Sequence, residues 1–154
     1  METLERIVMA HPFFAGLESE LGPLIAGCAK NLRFTAGQYL FRSGEPANEF
    51  YLIREGTVAL EIQPPGQPPV VYATETTGDI VGTSWLVPPY RWNFDARATT
   101  PVRAISLDAT CLRNKCEANH HLGYEMLKRF LPEISQRLDD ARLQMLDVYA
   151  RPKR

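Results

Sequence analysis

The sequence predicts a mainly β protein: an antiparallel β-roll or jelly roll with N-terminal helices before it and a long C-terminal helix after it. Three observations predict this. Short β-type runs separated by turn residues recur from Leu32 to Leu107, with no helical stretch of any length among them. Before Leu32 and after Asp108 the apolar residues return at helical spacing instead. The final stretch repeats every seven residues, which needs one extended helix. The expected boundaries are helices over 1–31, the roll over 32–108 and helices over 109–150, within a single domain spanning 1–154.

The N-terminal segment places Leu17, Leu21, Leu24 and Ile25 at helical spacing, with Leu4, Ile7 and Val8 on an earlier turn. Pro12 and Pro23 interrupt it, so two or three short helices are expected. Gly37 then introduces the run Gln38 to Phe41, which Ser43-Gly44-Glu45-Pro46 closes. Phe50 to Ile53 meets a turn at Glu55-Gly56, and Val58, Leu60 and Ile62 fall on one face of the strand that follows. Four of the six residues from Pro64 to Pro69 are prolines, which donate no ladder hydrogen bond, so this is an exposed hairpin end. Val70 to Ala73 returns along the sheet, Gly78-Asp79 turns into Ile80-Val81, and Val102 to Leu107 is the last strand. Ala109 to Ala118 is one short helix, and a long one begins near Leu122. Along it Leu127, Leu131, Ile134, Leu138, Ala141, Met145 and Val148 are spaced 4, 3, 4, 3, 4, 3. That is an a/d seam, and it predicts a homodimer through Leu131, Ile134, Leu138, Ala141, Met145 and Val148; a helix packed on its own roll is the alternative. Pro132 predicts a kink or a fresh helix start.

Composition narrows the function. An apolar content of 45% and a charged content of 23% describe a folded globular domain. The net charge of −1 offers no attraction to nucleic acid or to an anionic membrane, and the basic tail Arg151-Pro152-Lys153-Arg154 is too short for a binding arm. No apolar stretch approaches the roughly 20 residues of a membrane span, and the charged start lacks the core of a signal peptide. Three cysteines, Cys28, Cys111 and Cys116, are expected to be reduced thiols in the cytoplasm. An enzyme is not expected. A metal-dependent cupin is the one serious catalytic alternative, but it needs histidines on neighbouring strands, and His11, His120 and His121 all lie in the helical flanks. Cys111 and Cys116 are five apart, neither a redox nor a zinc pair, and three thiolates cannot ligate an iron–sulfur cluster.

The run Phe34-Thr35-Ala36-Gly37-Gln38-Tyr39-Leu40-Phe41-Arg42-Ser43-Gly44-Glu45-Pro46-Ala47 resembles the opening of a cyclic nucleotide-binding domain. Phe50 to Leu60 resembles its continuation, and Gly78-Asp79-Ile80-Val81-Gly82 the entrance to that family's phosphate-binding cassette. The likeness covers roughly residues 11 to 148. It implies an eight-stranded roll as in the Crp/Fnr group of bacterial regulators, whose long C-terminal helix forms a dimer and is normally followed by a helix-turn-helix domain. Only five residues follow Tyr149, so the sensor half without its DNA-binding output is expected.

The resemblance also implies a glutamate directly after the cassette glycine, for the ribose hydroxyl, and a buried arginine for the cyclic phosphate. Thr83 follows Gly82 here. Matching Arg97-Ala98-Thr99-Thr100-Pro101-Val102 to the strand after the cassette puts Trp92 at the arginine position, with Arg91 one place earlier and so on the opposite face of a regular strand. Asn93 and Phe94 replace small residues. The candidate pocket is therefore Gly82, Thr83, Ser84, Arg91 and Trp92. Three occupancies stay open: cyclic AMP or cyclic GMP, the one candidate cofactor; another small molecule gripped by Trp85, Tyr90 and Trp92; or a packed-over pocket in a dimeric adaptor that docks a protein partner.

Overall fold

Thr3 opens the first helix, its hydroxyl accepting from the Arg6 N–H at 3.2 Å, and the chain then folds as the turn residues direct. The computed structural model describes residues 3–150, with side chains as far as residue 146. Helix α1 spans Leu4–Ala10 and α2 spans Gly22–Ala26, with short 3-10 turns at Pro12–Phe14 and Ser19–Leu21 between them. Pro12 and Pro23 each sit at the start of a turn, where a missing N–H is harmless.

Eight strands follow: β1 Ala29–Phe34, β2 Tyr39–Phe41, β3 Glu49–Glu55, β4 Thr57–Ile62, β5 Val70–Thr76, β6 Ile80–Val81, β7 Asp95–Ala98 and β8 Val102–Asp108. They form two antiparallel four-stranded sheets, ordered β1-β8-β3-β6 and β2-β7-β4-β5. Phe50 to Ile53 of β3 are buried in succession because both faces of that strand are covered. The β3–β4 turn needs Gly56: it has φ +106°, and a Cβ there would lie 2.3 Å from the Pro101 carbonyl oxygen. Helix α3 spans Ala109–Ala118, capped by the Asp108 carboxylate on the Cys111 N–H at 2.7 Å, and α4 spans His120–Ala150.

An aromatic cluster joins the roll to the helices. Phe50 stacks on Trp85 at 4.8 Å, and Phe130 of α4 meets Phe50 edge-on at 5.0 Å and Phe13 at 4.8 Å. Leu122, Met126 and Phe130 are fully buried, so the first half of α4 packs on its own domain.

Four expectations need correction. Strand β1 starts at Ala29, ahead of the Leu32 boundary, because Ala29 to Phe34 pairs with β8 along its whole length. The stretch matched from Arg97 to Val102 is not one strand: β7 ends at Ala98, and a turn precedes β8. Of the two outcomes expected at Pro132, the fresh start does not occur: α4 continues through it as one helix. Cys28 and Cys111 are not reduced thiols but a disulfide, leaving Cys116 free. Pairing of Ala29 with Leu107 sets Cys28 beside Asp108, whose N–H donates to the Cys28 carbonyl at 2.9 Å, and one helical turn brings Cys111 over it. A separation of 83 residues hides this from a spacing argument. No helix among the described residues is long and apolar enough to cross a membrane.

Candidate functional site

Strand β6 runs into Gly82, and the whole site turns on that residue. Its φ of +109° belongs to glycine, and a Cβ there would lie 2.5 Å from the Trp92 ring. The absent side chain lets the indole lie across the backbone. Trp92 is buried and stacks face to face on Phe41 of β2, centroids 3.6 Å apart and planes 8° from parallel.

The segment around Trp92 runs antiparallel to the chain at Gly44 to Ala47. Trp92 N–H donates to Glu45 O at 3.0 Å, Gly44 N–H to Trp92 O at 2.7 Å and Ala47 N–H to Tyr90 O at 2.7 Å. Alternation along this extended pair turns Trp92 inward and Arg91 outward. The exposed Arg91 guanidinium donates to the Gly44 carbonyl at 2.9 Å, on the outside of the roll. After Gly82 comes a 3-10 turn, Ser84–Leu86, which the Thr83 side chain does not cap. Trp85 is fully buried against Phe50, with its carbonyl held by Arg113 at 2.6 Å. Arg113 in turn lies over the Tyr90 ring at 4.1 Å. Trp85 and Trp92 are thus parts of the packing, while Tyr90 sits at the edge.

A cavity of about 320 Å³ remains between this cassette and α4. Leu60, Ile62, Tyr72, Ile80 and Phe94 form its apolar wall. Gly82, Thr83, Ser84 and Asn93 form its polar floor. Glu133, Arg137, Asp140, Ala141 and Gln144 of α4 cover it. Of the five residues expected in the pocket, Gly82, Thr83 and Ser84 border this cavity; Arg91 and Trp92 do not. Ala141, expected in the dimer seam, borders it as well. Arg137 forms an ion pair with Glu75 of β5 and approaches Asp140 at 3.6 Å, and Gln144 donates to the Tyr72 carbonyl at 3.2 Å. These contacts hold the helix down over the opening. Burial pushes the Tyr72 phenol up to about 12, against the opposing pull of Arg137. Burial also raises the Glu133 carboxyl, and the charge of Asp79 adds to the effect.

The family model described as the cyclic nucleotide-binding domain matches residues 31–119, more than half of the chain. The chain belongs to that family. Among the relatives of this cyclic nucleotide-binding domain is cyclic nucleotide-gated ion channel 18 of Arabidopsis thaliana, 30% identical over 104 residues. The match takes in 65% of this chain but only 15% of the channel's length. A putative cyclic nucleotide-binding protein from Geobacter metallireducens superposes with a TM-score of 0.77 at 30% identity, covering 90% of this chain and 99% of that one. The sensor domain of the transcriptional regulator DNR from Pseudomonas aeruginosa superposes at 0.71 with 18% identity, covering 88% and 91%. The fold is thus shared with the sensor domain of a transcriptional regulator.

Within this domain, the α4 face of the cavity escaped the sequence reading. Glu133, Arg137, Asp140 and Gln144 are spaced 4, 3, 4, the same period as the apolar seam but rotated by roughly a third of a turn. They continue the line of Leu122, Met126 and Phe130. That stripe was available as a signal, but the seam beside it was the more apolar one.

Proposed function

We propose that the chain is a regulatory domain that dimerises through α4, signals by protein contact rather than by DNA binding or catalysis, and does not hold a cyclic nucleotide in the family's manner. The observation that carries the pocket reading is the inward Trp92, stacked on Phe41 and over Gly82, at the position the resemblance gives to the phosphate-binding arginine. Arg91 is spent outside on the Gly44 carbonyl. Thr83 offers the ribose a neutral hydroxyl in place of a carboxylate, without the charge-assisted part of the bond.

The dimer reading is supported by the outer face of α4. Leu131 is 60% exposed, Leu138 50% and Met145 61%, while Ile134 is half-buried and Ala141 exposed. The Val148 side chain lies outside the described residues. A continuous apolar seam on one helix face suits a second copy of the same helix. The net charge of −1 favours a protein over DNA as the contact. With Cys28 and Cys111 joined, the cysteines no longer point to a reducing compartment.

The test is calorimetric titration with cyclic AMP and cyclic GMP. No saturable heat is expected up to about 1 mM. Micromolar binding of either would overturn the pocket reading.

A further inference from the structure

We propose that the cavity beneath α4 takes a small organic cation, an ammonium on an apolar or aromatic body, with the Glu133 carboxylate as its counter-ion. This rests on the preceding reading that the cyclic-phosphate site is not in place, and it names the class of ligand the altered site would take.

The charges around the cavity carry the argument. Among the described lining residues Arg137 is the one cation, and it is shared between Glu75 and Asp140. Glu133 has neither a hydrogen bond nor an ion pair among the described residues, although it lies half-buried at the cavity. An anion entering here would meet Glu133 and Asp140 with no free positive charge to offset them. A cation would supply the partner that Glu133 lacks. Burial first, and then the charge of Asp79, raises the Glu133 carboxyl, and an adjacent positive charge would bring it back down.

The rest of the lining fits the same class. The rings of Tyr72 and Phe94 lie at right angles with centroids 6.0 Å apart, a corner that can receive the body of the ligand and attract its positive end. Thr83 leaves its turn uncapped, so its hydroxyl is free for a ligand N–H or O–H. A volume of about 320 Å³ suits a single small molecule.

The experiment titrates the wild-type chain with 2-phenylethylammonium, choline and putrescine, and with phenylacetate, which keeps the ring but carries a carboxylate. At least one ammonium compound should bind saturably, about tenfold more weakly in Glu133→Gln, and phenylacetate should bind more weakly than 2-phenylethylammonium. Because Glu133 pairs with no described residue and burial disfavours its charged form, the variant should unfold at or above the wild-type midpoint; the comparison of ammonium with carboxylate needs no variant at all. No binding of any ammonium compound at about 10 mM, an affinity indifferent to Glu133→Gln, or phenylacetate bound as tightly as 2-phenylethylammonium would each overturn the inference. Saturable cyclic AMP binding would remove the underlying reading too, whereas failure of the amines with no nucleotide binding removes this inference alone.

Discussion

Trp92 is the residue on which the proposed loss of the cyclic-phosphate site rests. Its indole is buried and joins the core through Phe41, so the side chain has a packing role of its own. Trp92→Ala should therefore destabilise the domain by about 3–5 kcal/mol in urea denaturation, the range for truncating a buried aromatic. A loss below about 1 kcal/mol would mean the stack contributes little. His11 is the other informative residue. It is buried between helix and sheet, its Nε2–H donating to Ile53 O at 3.0 Å while Nδ1 accepts from the Phe13 N–H at 3.2 Å. Both bonds use the neutral ring, because protonation at Nδ1 would set two donors face to face. Burial is the largest cause of its lowered pKa, opposed by the Ile53 carbonyl and by Asp79. The unfolded chain then takes up a proton before the folded one. The stabilisation is full above pH 6.5 and lost as the pH falls from there through the folded value. Denaturation midpoints measured across that window should fall in the wild type and flatten in His11→Gln; equal slopes would refute this account.

Among the elements, α4 and the disulfide set the mechanics. Helix α4 carries Pro132 without breaking because it is anchored on both sides: Leu122, Met126 and Phe130 sit in the core, and Arg137 and Gln144 reach β5. Tertiary contact there outweighs a local penalty of about 3 kcal/mol. The Cys28–Cys111 bond ties the end of the N-terminal helices to the first turn of α3, closing a loop with a sequence separation of 83 residues. In the chain-entropy picture such a loop contributes roughly 4–5 kcal/mol by restricting the unfolded chain. Reduction by dithiothreitol should lower the melting temperature, and Cys111→Ser should melt at the reduced value in either condition. If the reductant leaves the midpoint unmoved, the bond carries no stability.

For the whole molecule, the expectation is a dimer built on the outer face of α4 while the inner face covers the cavity. Sedimentation should give twice the chain mass for the wild type. Paired substitution Leu131→Glu and Leu138→Glu should give the monomer, since both side chains are already exposed within one chain and their replacement leaves its core intact. A wild-type monomer at about 100 μM would remove the dimer. The apolar seam and the cavity face of α4 are adjacent, so if both proposals hold, a ligand that draws Glu133 or Arg137 inward would also tilt the seam, and a change in dimer affinity on binding would follow by linkage.

Much of this architecture could be read from the residues alone. The glycine turns, the proline-rich hairpin end, the strand alternation and the heptads are local patterns, and local backbone geometry sets them. That Thr83 follows Gly82, and that Trp92 stands where the resemblance looks for an arginine, was legible too, because it needs only identity and position. What tertiary structure alone decided are the long-range pairings. Cys28 meets Cys111 because β1 lies against β8. Glu75 meets Arg137 because α4 crosses the mouth of the roll. The polar stripe of α4 lines a cavity rather than solvent for the same reason. None of these follows from spacing, since residues far apart along the chain become neighbours only once sheets and helices have chosen their partners.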